Sequence, residues 1–188
     1  MRTVVAELES VSPYSQSKKI GSPRLDKESA ADHENRCWRE RAHVDEKDRV
    51  FIPPMAFKNC LSEAAKFLSV QMPGKGKSTY TKHFEAGILI TDPIFLPVKK
   101  SQIEGEWIFV PANGRRGSGT RVDKCFPLFK SWKGELTIYI LDDTITAEVL
   151  KYHLEQAGAF IGIGRFRPRN NGFYGRFKVV DMIWQDGK

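Results

Sequence analysis

The sequence predicts an α+β fold with a strand, helix, strand, strand, helix, strand core, and three observations predict it. Two segments carry apolar residues at helical spacing, and four short runs carry β-branched and apolar residues of strand type. A chain of 188 residues with 40% hydrophobic content suits one core better than two small ones. The expectation is therefore a single domain over residues 1–188, with long insertions in an otherwise regular pattern.

The first strand is read over residues 2–11, where Val4, Val5, Leu8 and Val11 partly alternate before Ser12-Pro13 ends the run. Residues 12–50 then form a polar insertion. Its opening, SPYSQSKKIGSPRLDK, reads as a loop, and Glu28 to Val44, free of Gly and Pro, reads as a helix with almost no apolar stripe. Such a helix is expected as a projecting arm or as a segment ordered by a partner. After VFIPP, Phe57, Leu61, Ala64, Ala65 and Leu68 predict an amphipathic helix over 54–69, with prolines suited to its first turn. QMPGKGKSTYTKH, 71–83, reads as a basic loop without the spacing of a nucleotide-binding P-loop. FEAGILIT, 84–91, reads as the second strand, closed by Asp92-Pro93.

Residues 93–133 form the second insertion, between the second and third core strands. Within it, two short strands around a Gly/Arg tip predict a basic hairpin in which Arg115, Arg116, Arg121, Lys124, Lys130 and Lys133 are opposed by Asp123 alone. LTIYIL, 136–141, is the third strand. A helix capped by Thr144 or Thr146 follows, with Val149, Leu150, Leu154 and Ala157 as its apolar face and Gly158 as its stop. The last strand is read from Phe173 to Trp184. This βαββαβ order is the ferredoxin-like (RRM-like) one, in which two helices cover one sheet face.

Charge points to the partner. The net charge is +7, which favours nucleic acid, acidic lipid or an acidic protein. The stretch Gly158 to Phe177 interleaves glycines, arginines and aromatics, with no acidic residue from Ala159 through Val180. Gly162 and Gly164 can take positive φ and let a polyanion approach the main chain, while Arg165, Arg167 and Arg169, alternating with Phe166 and Pro168, would share one side of an extended segment. The alternative is a glycine-rich connection solvated by its arginines. Lys58 lies off the stripe of the first core helix, facing solvent or a ligand. Cys37, Cys60 and Cys125 form no disulfide framework, which suits a reducing cytoplasm. The first residues are too short an apolar run for a signal peptide, and no segment reaches the length of a membrane span.

AGAFIGIGRFRPRNNGFYGRFKV resembles the C-terminal glycine-rich loop and last strand of the CRISPR-associated RAMP superfamily, repeat-associated proteins that bind guide RNA. IPPMAFKNCLSEAAK resembles the entry to the first helix of that superfamily's backbone subunits, with Met55, Ala56 and Phe57 where the family has small residues. The insertion at 93–133 sits where those subunits carry a projecting thumb. The resemblance implies a non-catalytic subunit, without cofactor or metal, that binds guide-type single-stranded RNA and assembles with further copies or with other effector subunits. Phosphate contacts are then expected from Lys18, Lys19, Lys58, Arg115, Arg116, Arg165, Arg167 and Arg169. Single-stranded DNA suits the same residues. Two alternatives remain: a guide-processing endoribonuclease using one of His33, His43, His83 or His153, and a phage-encoded relative that mimics or blocks a CRISPR subunit. His33, Cys37, His43 and Cys60 lack the spacing of a zinc site, and Asp26 and Asp32 follow the first strand without the family's catalytic motif.

Overall fold

A computed structural model describes residues 1–114, 117 and 119–185. Strand β1, Arg2–Ser10, runs through the centre of the main sheet and buries Val4, Ala6 and Leu8 completely on one face. The alternate residues Thr3, Val5, Glu7 and Glu9 stay partly exposed, as a period of two requires. The chain then makes a two-residue strand β2, Tyr14–Ser15, helix α1, Ala30–Cys37, a 3-10 turn over Trp38–Arg41, and β3, Arg49–Ile52. Ser29 caps α1 by accepting from the Asp32 amide.

Helix α2, Pro54–Leu68, starts with proline in its first turn, where the missing N–H is harmless. It ends at Ser69, whose φ of 48° places it in the left-handed region. Phe57, Cys60, Leu61, Ala64 and Ala65 form its buried stripe. A short helix α3, Thr81–Ala86, and a two-residue strand β4, Ile88–Leu89, follow. The second insertion supplies β5, Ile94–Lys99, then β6, Glu104–Pro111, and β7, Arg121–Phe129. Strand β8, Lys133–Ile140, helix α4, Ala147–Gln156, a π-helical turn over Ala157–Ile161, and β9, Phe177–Gln185, complete the chain.

The main sheet has the order β4-β8-β1-β9, with every neighbouring pair antiparallel. Leu136, Ile138 and Ile140 of β8 are buried with the apolar residues of β1, and Leu150 and Leu154 of α4 join the stripe of α2 in one continuous core. A bulge between Glu7 and Leu8 leaves Val180 of β9 unpaired, which interrupts that edge strand.

Several boundaries differ from those read in the sequence. The expected strand over 84–91 is shortened to Ile88–Leu89, because its first three residues end helix α3: Tyr80 and Phe84 are both buried one helical turn apart, and the Gly87 amide donates to the His83 carbonyl at 2.7 Å to close that helix. A short apolar run does not by itself separate strand from buried helix. Phe173 to Arg176 precede the last strand as loop.

The helix expected over 28–44 is confined to Ala30–Cys37, and it is not a free arm. Glu34 is buried, receives Arg41 through both carboxylate oxygens at 2.8 and 2.7 Å, and accepts from the Cys125 amide at 3.0 Å. The arm is thus ordered by the second insertion of its own chain. The two insertions join elsewhere too, since β3 pairs with β5 and β2 pairs with β7, giving a three-stranded sheet β2-β7-β6 beside the core.

Among the described residues no helix is long and apolar enough to cross a membrane.

Candidate nucleic-acid interface

The hairpin of β6 and β7 sets up two faces because its side chains alternate. Glu106, Ile108 and Val110 share one face with Lys124 and Phe126, through the pairs Glu106↔Phe126, Ile108↔Lys124 and Val110↔Val122. Trp107 and Phe109 point the other way and are about half exposed, with the Arg121 guanidinium over the Phe109 ring at 5.3 Å. The first face closes one wall of a cleft. Its other wall is the glycine-rich turn after α4, contributing Arg165 and Phe166, with Ser17 nearby.

That turn is built by packing against β2. The Arg165 amide donates to the Ser15 carbonyl at 2.9 Å, and the Gly175 amide donates to Pro13 at 2.7 Å. Gly162 and Gly164 do adopt positive φ, 69° and 75°. Their missing Cβ atoms make room for the chain itself, however. A Cβ on Gly164 would strike Ser15 O and the Tyr14 ring, and one on Gly162 would strike Pro168. The Gly162 amide is also committed, to the Ala157 carbonyl at 2.9 Å. The expected approach of a ligand to these two glycines is therefore replaced by an internal close contact.

The three arginines do not share a side. Phe166 takes φ 54° and Pro168–Asn170 form a 3-10 turn, so the segment is not extended. Arg165 turns into the hairpin, where it pairs with Glu106 and donates through Nε to Ser15 Oγ at 2.9 Å. Its guanidinium carbon lies 4.3 Å from the Phe126 ring centre and 4.5 Å from that of Phe166. Tyr174 completes this cluster by donating to Glu106 Oε1 at 2.6 Å, and burial together with that bond pushes its hydroxyl up to about 12. Arg167 and Arg169 turn instead to Glu63 of α2, at 2.9 and 3.4 Å. Two cations share one carboxylate there, and Arg169 stays half exposed.

No protein-family model matches this chain, and no curated protein matches it.

Lys58 is occupied. Its ammonium donates to Ser62 Oγ and to the Phe84 and Glu85 carbonyls at 2.8–2.9 Å, which ties α2 to the end of α3. Partial burial lowers its pKa, and its three hydrogen bonds engage it within the fold. Lys18 and Lys19 are exposed, just past Ser17, and line a separate shallow cleft with Glu40, Asp45, Asp48 and Lys100. Arg115 and Arg116 lie outside the described residues. The structure brings Arg121, Lys124 and Phe126 of the hairpin to the cleft, and Glu106 beside it to pair with Arg165. Lys124 donates to the Ala112 carbonyl at 3.1 Å and Arg121 to the Phe109 carbonyl at 2.6 Å; among the described residues neither forms an ion pair.

The histidines are dispersed. His33 meets the Ser22 carbonyl, and His153 is buried with Nδ1 on the Val149 carbonyl and its ring 4.3 Å from Phe84. His83 Nδ1 lies 2.6 Å from Asp142 and 3.0 Å from Thr144 Oγ1. Among the described residues no three His, Cys, Asp or Glu side chains are grouped to hold a metal ion. All three cysteines are free and buried, and burial pushes the Cys60 thiol up to about 12.

Proposed function

We propose that this chain is a non-catalytic, cytoplasmic protein that binds single-stranded RNA, built on a ferredoxin-like core and related to the backbone subunits of RAMP-type CRISPR effectors. The sheet order β4-β8-β1-β9 with two crossover helices supports the core. The observation that carries the function is the cleft between hairpin and turn, which joins aromatic rings to Lys124 and Arg121, cations without a carboxylate partner among the described residues. Rings offer stacking to any base and the cations meet phosphates, the combination that a flexible single strand requires. Lys18 and Lys19, exposed beyond Ser17, offer further positive charge to a strand that leaves the cleft, and Arg115 and Arg116 add charge to the sequence between β6 and β7. Further copies of the chain or other effector subunits are the protein partners of this reading.

The test is fluorescence anisotropy of labelled single-stranded RNA, matching DNA and duplex RNA across a salt series. Binding of the single strands with a steep salt dependence supports the proposal; salt-independent binding, or none, overturns it.

A second reading, a guide-processing endoribonuclease, is favoured by one contact. His83 is oriented by Asp142, the arrangement of a general base. Cleavage of a labelled hairpin RNA that His83→Ala abolishes would establish it; intact RNA after long incubation removes it.

A further inference from the structure

Arg165 carries a feature that its ion pair leaves unexplained. The side chain is only 9% exposed, one side of its guanidinium is paired with Glu106, and Nε is bonded to Ser15. Nη1 is buried without a hydrogen-bond partner among the described residues. Buried donors are nearly always paired, so an orphan at a cleft wall marks a place for an acceptor.

The next residue points the same way. Phe166 holds φ 54°, a region that bulky side chains seldom occupy. It is held there because its carbonyl accepts from the Tyr174 amide at 2.9 Å and because Gly172 has no Cβ to strike that carbonyl. Phe166 is 45% exposed and lines the same open cleft, about 750 Å³, large enough for a nucleotide. Strain of this kind concentrates at ligand sites.

We infer that Arg165 and Phe166 together read one unpaired nucleobase, guanine by preference. On binding, the exposed Phe166 ring serves as a stacking platform and Nη1, the one guanidinium nitrogen without a partner among the described residues, shares an N–H between guanine O6 and N7. This inference rests on the single-strand binding proposed above and names what the cleft recognises. A phosphate is the weaker match, because Glu106 already neutralises the guanidinium and would repel an anion brought beside it. A neutral acceptor suffers no such penalty. Guanine presents two adjacent acceptors on its exposed edge, whereas adenine sets an amino donor next to N7. The pair would therefore supply selectivity, and the hairpin cations Arg121 and Lys124 the affinity.

The experiment uses the full chain and labelled oligouridylates of about 12 nucleotides, bearing at the centre uridine, guanosine or 7-deazaguanosine. One guanosine should tighten binding about tenfold, and 7-deazaguanosine should lose most of that gain. Because changing Arg165 breaks its ion pair, the deciding variant is Phe166→Gly, which removes the platform and relieves the positive φ. It should lose the guanosine preference with no fall in thermal midpoint and no change in salt dependence. Equal binding of the three strands, a preference kept by Phe166→Gly, or a salt dependence that it flattens would each overturn the inference. A parallel fall in midpoint and in binding to all strands would make the residue structural. If no strand binds the unaltered protein, the proposed function falls as well; if strands bind without preference, only this inference does.

Discussion

Two parts of the molecule share a composition and differ in what surrounds it. The turn after α4 and the β6–β7 hairpin are both rich in glycine, arginine and aromatic residues, and both lie on the wall of one cleft. In the turn each arginine named as a phosphate contact meets a carboxylate from a distant element: Arg165 meets Glu106, and Arg167 and Arg169 meet Glu63. In the hairpin Arg121 and Lys124 meet backbone carbonyls instead, and keep their net charge. A carbonyl can orient a cation but cannot neutralise it. The turn is thus held to the fold by its charges, while the hairpin keeps its charges for a partner.

The largest effect that tests this contrast is Gly164→Val. The new side chain would need a strained φ and would collide with Tyr14 and Ser15, so a loss on the order of 3 kcal/mol or more is expected. Chemical denaturation checks it. An unchanged transition would return Gly164 to the role of a ligand-facing glycine.

Glu106→Gln comes next. It leaves the Arg165 charge buried and uncompensated, a change that costs roughly 3 kcal/mol when one partner of a buried pair is removed, with the partial exposure of Glu106 lowering that figure. The stability loss should exceed that of Glu63→Gln, whose partners are more exposed. Equal losses would erase the distinction between the two ends of the turn.

The hairpin should respond in the opposite sense. Arg121→Gln with Lys124→Gln is expected to change stability by no more than about 0.5 kcal/mol each. If both side chains contact phosphates, the log–log salt slope of single-strand binding should fall by about 1.4, at roughly 0.7 per contact. A stability loss without any change in slope would make the hairpin cations structural too.

The smallest expected effect lies in the core and serves as a control on both regions. Burial lowers the pKa of His153 below its usual 6.5. The unfolded chain therefore binds a proton that the folded chain resists, and stability present above pH 6.5 is lost as the pH falls through that value toward the lower folded pKa. His153→Leu should reduce this slope below pH 6.5, leaving a remnant from His43, also lowered by burial. Asp142, held near 2 despite partial burial by bonds from Thr144 and His83, contributes only at lower pH, where its stabilisation is lost as it protonates. An unaltered slope in the variant would show that His153 is not the group that titrates.

How much of this was legible in the sequence depended on the range of the interaction. The amphipathic period of α2, the cap at Thr146, the alternation in β1 and β8, and the hairpin all depend on residues a few positions apart, and they lie close to where the sequence places them. Tyr80 and Phe84 were a local signal as well, one helical turn apart, but the apolar run after them masked it. The positive φ of Gly162 and Gly164 was also foreseeable from glycine alone. What filled the space beside those glycines was not, because Tyr14 and Ser15 lie about 150 positions earlier in the chain. The same holds for Glu106 against Arg165 and Glu34 against the Cys125 amide. By itself the sequence determined which residues are cationic, which segments can be regular and which positions need glycine, since those are properties of short stretches. Tertiary structure alone decided which cations are neutralised, because Coulomb attraction and desolvation depend on what folding brings within a few ångströms, not on what stands beside a residue in the chain.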